Sequence, residues 1–280
     1  MNDRLVLILK YIIIALVQGI GEILPISSSG HLIIIQSIFG LKTNDLTFEI
    51  FLHLASLIAL IIYFRKKLIN IISSFIKYIF NKDARKKEEI SSNYKIVIKI
   101  IIATIPASLL GLLLEDFIAK HLSKMWIIGV FLLLTSALLY TSTKIKRNKT
   151  LNELSYFESF VIGIFQCIGI LPGVSRSGSC IVGASSQKLN QKDAAEFAFL
   201  LALPIMLGST IINIKDIYIL LSNKDLLLPY LIAFIITLLI TYLSLKAFLK
   251  IIAKQKLSIF SIYCFIVGML SIILDLFILN

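Results

Sequence analysis

Two polar stretches interrupt long apolar runs, and both carry residues suited to phosphate chemistry. The first holds an amide, a carboxylate, three hydroxyls and an imidazole: Gln18, Glu22, Ser27, Ser28, Ser29 and His31. Gln18 and Glu22 are four residues apart, so they share one helix face. A serine here could act as nucleophile if His31 accepted its proton, with Glu22 orienting or assisting that base. Taken singly, the serines could equally be helix caps.

The second stretch runs from Leu171 to Gly178 and centres on Arg176, which is flanked by Ser175 and Ser177. The planar fork of arginine binds two phosphate oxygens at once, and the start of a helix favours an anion. The alternative is a structural arginine that pairs only with Glu22. Taken together, the two stretches predict one site, in which the first supplies acid, base and nucleophile and the second holds the phosphate.

Composition indicates where these stretches must lie. The chain has 280 residues, is 58% hydrophobic and has a mean hydropathy of +0.93, which excludes an ordinary soluble domain. The three cysteines provide neither a disulfide framework nor a metal-ligand spacing. The net charge of +12 falls in clusters between apolar runs, which indicates cytoplasmic loops rather than nucleic-acid binding. These clusters are Arg65–Lys99, Lys144–Lys149 and Lys246–Lys256.

The sequence predicts an all-α, polytopic membrane protein with six transmembrane helices. With the basic loops inside, two loops of mixed charge lie outside, namely Glu115–Lys124 and Lys215–Asp225. The six predicted crossings are Phe48–Phe64, Ile96–Leu114, Met125–Thr143, Ala194–Ile212, Leu226–Leu245 and Leu257–Leu279. Each is close to the roughly 20 residues that span a bilayer core.

Two further segment pairs are each broken by Pro, Gly and Ser and contain a helix too short to span a membrane. They are Leu5–Leu24 with Ser28–Phe39, and Leu154–Leu171 with Ser177–Gln187. We expect both pairs to be re-entrant helical hairpins. Pro25 and Pro172, 147 residues apart, begin similar patterns, so the chain (1–280) is expected to form one membrane domain of two inverted repeats, about 1–145 and 150–280.

The stretches GIGEILPISSSGH and PGVSRSG resemble the two signature regions of the bacterial undecaprenyl-diphosphate phosphatase, or bacitracin-resistance protein, family. The run Ala103–Ala107 and Gly111 also fit this family, and the resemblance covers essentially the whole chain. It implies removal of the terminal phosphate from a C55 isoprenoid diphosphate, which recycles the carrier lipid for cell-wall synthesis. It also implies resistance to bacitracin and a multi-pass location in the bacterial cell (inner) membrane, with the active site open to the outer face.

The resemblance assigns the acidic motif to Gln18 and Glu22, the hydroxyl and imidazole positions to Ser28, Ser29 and His31, and the arginine motif to Ser175, Arg176 and Ser177. The first acidic position is Glu or Gln in the family and is Gln here. One carboxylate fewer weakens the case for a chelated ion, although the family implies help from Mg²⁺ or Ca²⁺, with Glu22 as its candidate ligand.

We therefore expect Glu22, Ser28, His31 and Arg176 to be catalytic, and Gln18, Ser27, Ser29, Ser175 and Ser177 to bind the substrate. Ser28 is the expected nucleophile and His31 the base, with direct attack by His31 as the alternative. His53 is expected to pack or to form hydrogen bonds between helices rather than to take part in catalysis. Expected partners are a polyprenyl diphosphate and membrane lipids, with no nucleic acid and with a homodimer left open. The rival interpretation is a transporter for a lipid phosphate or an anion.

Overall fold

The computed structural model describes residues 2–39, 46–254 and 256–279. Within these ranges the protein is helical and has no β-strand, apart from one isolated bridge between Lys149 and Leu189. The α-helices are α1 (Asn2–Gly21), α2 (Ser28–Phe39), α3 (Leu46–Phe80), α4 (Glu88–His121), α5 (Met125–Ser142), α6 (Tyr156–Ile168), α7 (Arg176–Ser186), α8 (Gln191–Ile212), α9 (Ile214–Ser222), α10 (Lys224–Ala253) and α11 (Ser258–Leu274).

Six of the described helices, α3, α4, α5, α8, α10 and α11, are long and apolar enough to cross a membrane. The predicted all-α class and the six crossings are therefore confirmed, and the chain is a multi-pass membrane protein. Several helices are longer than the predicted spans. At about 1.5 Å per residue, the 35 residues of α3 exceed a hydrocarbon core of about 30 Å. The part of α3 beyond Arg65 carries basic residues, as expected for a segment that extends past the apolar layer of the membrane.

Both loops predicted outside are partly helical. Residues 115–121 continue α4 to His121, and Lys215–Ser222 form most of the short helix α9. Mixed charge marked these residues as polar, but an amphipathic helix at a surface carries charges on one face only. In α9, Ile217 and Leu220 face the core while Tyr218 and Ile219 are exposed.

Four of the five remaining α-helices form two hairpins, which we call the first hairpin (α1–α2) and the second hairpin (α6–α7). Each hairpin packs on a helix from the other half of the chain, since α1 lies along α10 and α6 lies along α4. Small residues allow the close approach: a methyl group added at Gly163 of α6 would lie 2.5 Å from the carbonyl oxygen of Ala103 in α4. The helix breaks fall where Pro and Gly predicted them, while the re-entrant path and the inverted repeat stay predictions.

Candidate active site

The first hairpin holds Glu22 against the start of α2. Glu22 follows the last residue of α1, and its Oε2 accepts hydrogen bonds from Ser28 Oγ at 2.9 Å and from Gln18 Nε2 at 3.1 Å. A methyl group at Gly21 would lie 2.9 Å from the Cα of Ser28. The glycine therefore lets the end of α1 approach the start of α2 closely enough for these hydrogen bonds.

The second hairpin is built in the same local way around Arg176. Ser175 caps α7 by accepting a hydrogen bond from the backbone N–H of Gly178 at 3.0 Å. A methyl group at Gly169 would lie 2.6 Å from the Cα of Arg176. The Ser175 and Ser177 hydroxyls are 3.2 Å apart. Arg176 is thus the first residue of its helix, as Ser28 is of α2, and both positions lie opposite a glycine.

The two hairpin tips touch. Ser27 Oγ accepts hydrogen bonds from the backbone N–H of Gly173 at 3.1 Å and from that of Gly30 at 3.3 Å. A methyl group at Gly30 would lie 2.9 Å from the Cα of Gly173. Ser27 and Gly173 both have positive φ angles, +70° and +97°, which are unfavourable for serine but open to glycine. The contact brings residues 146 apart in sequence into one hydrogen bond.

This contact places Arg176 against Glu22. A guanidinium nitrogen, Nη2, donates to Glu22 Oε1, and both side chains are largely buried. The other terminal nitrogen, Nη1, is buried and has no hydrogen-bond partner in the described part of the chain. Buried donors are normally paired. One side of the guanidinium fork therefore binds Glu22, and the other side has no hydrogen-bond partner among the described residues.

An imidazole does join this cluster, but it belongs to His53 rather than His31. His53, from α3, places Nε2 3.2 Å from Glu22 Oε2. His53 was expected to pack or to form hydrogen bonds between helices, and the structure shows such a bond to a site residue. One signal for it was available in the sequence, because Glu49 and His53 are four residues apart in an otherwise apolar helix and so share a face.

His31 does not contact Ser28 or Glu22 by any hydrogen bond that the structure shows. Its Nδ1 lies 2.8 Å from the carbonyl oxygen of Ser27, and its Nε2 lies 2.9 Å from the hydroxyl of Tyr263 in α11. The predicted pairing of His31 with Ser28 and Glu22 is therefore wrong. The cause is helical geometry: four residues along from Ser27, the His31 ring turns back over that carbonyl and stacks on Tyr263.

The cluster lines one end of a cavity of about 630 Å³. Of the predicted site residues, the cavity is lined by Glu22, Ser27, Ser28, Ser29, Ser175, Arg176 and Ser177. Gln18 does not line the cavity, and its contact with the site is the hydrogen bond that it donates to Glu22. Glu49 also lines the cavity, whereas Glu196, its counterpart in the proposed repeat, pairs with Lys67 elsewhere.

The side chains around Glu22 do not fit a metal ion chelated by the protein. Both Glu22 oxygens already face protein donors, from Arg176, Ser28 and Gln18. Across residues 2–39, 46–254 and 256–279, no group of three His, Cys, Asp or Glu side chains is placed to hold an ion. We therefore derive no step through a metal, and a requirement for Mg²⁺ or Ca²⁺ stays a prediction from the resemblance.

Comparison with known proteins adds an independent finding. A family described as "Bacitracin resistance protein BacA" matches residues 11–270. "Undecaprenyl-diphosphatase 2" of Bacillus thuringiensis is 39% identical over 95% of this chain and 97% of its own length. "Undecaprenyl-diphosphatase" of Oceanobacillus iheyensis is 36% identical over 95% of this chain and 96% of its own length. That of Methanosphaera stadtmanae is 38% identical over 96% of this chain and 98% of its own length.

Proposed function

Because this chain belongs to the bacitracin resistance protein BacA family, we propose that it hydrolyses undecaprenyl diphosphate to undecaprenyl phosphate and inorganic phosphate. The observation that carries the proposal is the contact of Arg176 from one hairpin with Glu22 from the other, whose carboxylate also accepts the Ser28 hydroxyl. A cation, a carboxylate and a hydroxyl at a buried meeting point are the groups that phosphoryl transfer uses. The reaction regenerates the carrier lipid for cell-wall synthesis and confers resistance to bacitracin.

The phosphate is held by Arg176 and by the starts of two helices. Arg176 Nη1 has no protein partner in the described residues and so binds a phosphoryl oxygen while Nη2 keeps its contact with Glu22. The Gly30 and Gly178 N–H groups are bound by the Ser27 and Ser175 hydroxyls. The two N–H groups before each of them, at the starts of α2 and α7, have no acceptor within their own helices and carry the positive end of the helix dipole. These donors stabilise the negative charge that develops on the transferred phosphoryl group.

Ser28 is the nucleophile in this proposal, and Glu22 rather than His31 accepts its proton. The Ser28 hydroxyl already donates to Glu22 Oε2 at 2.9 Å. Its oxygen forms a bond to the terminal phosphorus, the anhydride bond to the lipid phosphate breaks, and undecaprenyl phosphate leaves. Water then attacks the phosphoserine, the bond between phosphorus and the Ser28 oxygen breaks, and Glu22 returns its proton to that oxygen. Inorganic phosphate is released and the hydroxyl is restored. His53, 3.2 Å from Glu22, holds the carboxylate in position.

The cavity is proposed to open to the outer face of the bacterial cell membrane. The basic loop between α3 and α4 places the start of α4 inside. From the hairpin tips the cavity extends towards the other end of α4, where Ser123 lines it, and towards Asn213 at the end of α8. Both residues lie at the ends opposite the basic loops. The polar mouth therefore supplies water and releases phosphate on the outer side.

Phosphate release from undecaprenyl diphosphate by the purified protein in detergent tests the proposed function. We expect one inorganic phosphate and one undecaprenyl phosphate per substrate consumed, measured with and without a chelator to test the divalent-ion requirement. Transfer of the lipid between leaflets of proteoliposomes without phosphate release would contradict the proposal and favour a transporter.

The nucleophile is tested by trapping the phosphoenzyme with labelled substrate and mapping the modified residue. We expect phosphate on Ser28. A Ser28→Ala variant should lose about a hundredfold or more in kcat, while Ser222→Ala, an exposed serine of α9, serves as a matched control. Phosphate found on His31, or near-normal turnover by Ser28→Ala, would contradict the serine mechanism.

A further inference from the structure

The cavity wall formed by α4 and α8 contains two glycines that no packing contact explains. Gly111 on α4 and Gly208 on α8 both line the cavity. A methyl group added at either would meet no atom within 4 Å, whereas one added at any other described glycine would. Glycine is unfavourable inside a helix. No neighbouring atom is close enough to exclude a side chain at these two positions. What the two glycines provide is therefore the open space beside them.

The same wall leads into a second, apolar cavity of about 270 Å³. Ser108 of α4 and Pro204 of α8 line both cavities, so the two are adjacent. The one threonine in the second cavity, Thr104, donates its hydroxyl to the carbonyl oxygen of Ile100 at 2.7 Å. It therefore offers the cavity no free donor. Three of the lining side chains are also about half exposed on the outside of the protein: Ile101, Ile105 and Leu109.

We propose that the isoprenoid tail of the substrate leaves the phosphate site between α4 and α8, and that Gly111 and Gly208 set the width of its path. This inference rests on the proposed function. The tail is covalently joined to the diphosphate at Arg176, so it must leave the cavity through one of its walls. The mouth is polar at Ser123 and Asn213, and burial of a long apolar chain is favourable only against apolar surface.

The wall between α4 and α8 provides a mainly apolar surface, in which Ser108 and Ser209 are the polar side chains of the first cavity. Gly111 and Gly208 lie one helical turn from Ser108 and Pro204, which line both cavities, so a tail that leaves here passes beside the two glycines. A lateral opening lets the distal isoprene units remain in the bilayer while the diphosphate reaches the hairpin tips. Only the tail segment closest to the diphosphate then passes the two glycines.

The test compares a C55 isoprenoid diphosphate with isopentenyl diphosphate, a C5 substrate, in each variant. The readout is the ratio of the two kcat/KM values. In Gly111→Leu and Gly208→Leu the added side chain occupies the proposed tail path, so we expect the C55/C5 ratio to fall by about tenfold or more, mainly through KM. Gly111→Ala and Gly208→Ala should give intermediate ratios, since the fall should follow side-chain size.

Neighbouring residues provide matched controls. Leu113 on α4 and Leu207 on α8 are exposed, with 76% and 50% of their surface accessible, and do not line the cavity. Leu113→Trp and Leu207→Trp should leave the C55/C5 ratio unchanged. The tail path would be overturned if Gly111→Leu and Gly208→Leu both left the C55/C5 ratio unchanged, or if the tryptophan controls lowered it equally. Either result would leave the proposed function standing. A wild-type protein that hydrolyses neither substrate would overturn both.

Discussion

At the scale of single residues, Glu22 is the most constrained group in the site. It contacts Arg176, His53, Ser28 and Gln18, and its side chain is only 6% exposed. Burying a carboxylate and a guanidinium away from water costs several kcal/mol per ion before their mutual attraction is counted. An apolar pair would fill the same space without that cost. Ionisable groups at membrane depth are accordingly functional in most proteins.

His53 provides the first prediction at this scale. His53→Gln should lower kcat by about a hundredfold with little change in KM, because Glu22 loses the imidazole that holds it while Arg176 still binds phosphate. His121→Gln is the matched control, since His121 stacks on Phe117 at the end of α4 and does not line the cavity. Steady-state phosphate release measures both variants. Normal kcat in His53→Gln would remove this residue from the proposed mechanism.

The sequence could locate the site residues but could not assign their contacts. Gln18, Glu22 and the serines follow from local spacing, because the hydrogen bonds of Glu22 to Gln18 and Ser28 lie within one hairpin. The choice between His31 and His53 depends on how α3 and α11 pack around that hairpin. Tyr263 of α11 forms a hydrogen bond with His31, and His53 of α3 contacts Glu22. Contacts between distant elements leave no periodic signal in one chain.

At the scale of elements, the hairpin tips depend on small residues at their crossing. An added methyl group at Gly30 would lie 2.9 Å from the Cα of Gly173 and 3.1 Å from a side-chain carbon of Ile128. Neither the backbone of Gly173 nor the packed side chain of Ile128 has free space to move into. This packing fixes how closely the two hairpin tips approach each other, and therefore the distance between Arg176 and Glu22.

Gly30→Ala should consequently lower thermal stability, by about 1–3 kcal/mol, because overpacked contacts cost that much in tightly packed interiors. Gly208→Ala is the comparison, since its methyl group meets open space and alanine is the better helix former. Melting temperature in one detergent measures both. Equal or higher stability of Gly30→Ala than wild type would contradict the tight contact between the tips.

Element boundaries followed the sequence only in part. Apolar runs located the six spans, because a bilayer imposes a minimum length. The basic extensions of α3 and α4, and the helix α9, lie outside that constraint. Their charged residues are compatible with either loop or helix, and neighbouring helices decide between them. Helix breaks at Pro25 and Pro172 were predictable because proline lacks the backbone donor that a continuous helix needs.

At the scale of the whole molecule, each half of the chain packs a hairpin helix against the other half, α1 on α10 and α6 on α4. This exchange fits the predicted inverted repeat of two halves that face opposite ways in the membrane. It also explains how residues more than 150 positions apart share one site: the halves are interleaved, and the hairpin tips meet between them.

Topology can be measured with single cysteines in a variant that lacks Cys167. Asn223→Cys, between α9 and α10, should react with a membrane-impermeant maleimide in intact cells, because this turn lies on the proposed outer side. Asp83→Cys, in the basic loop between α3 and α4, should react only after permeabilisation. The opposite pattern would place the mouth of the cavity inside the cell.

The most direct test of the account is a double-mutant cycle on Glu22 and Arg176, read as phosphate release from undecaprenyl diphosphate. Each single variant, Glu22→Ala and Arg176→Ala, should lower kcat by about a thousandfold. Since the two side chains act as one unit across the hairpins, the double variant should lose little more than the worse single variant. Losses that multiply would contradict a shared site, because residues that act independently contribute additive free energies.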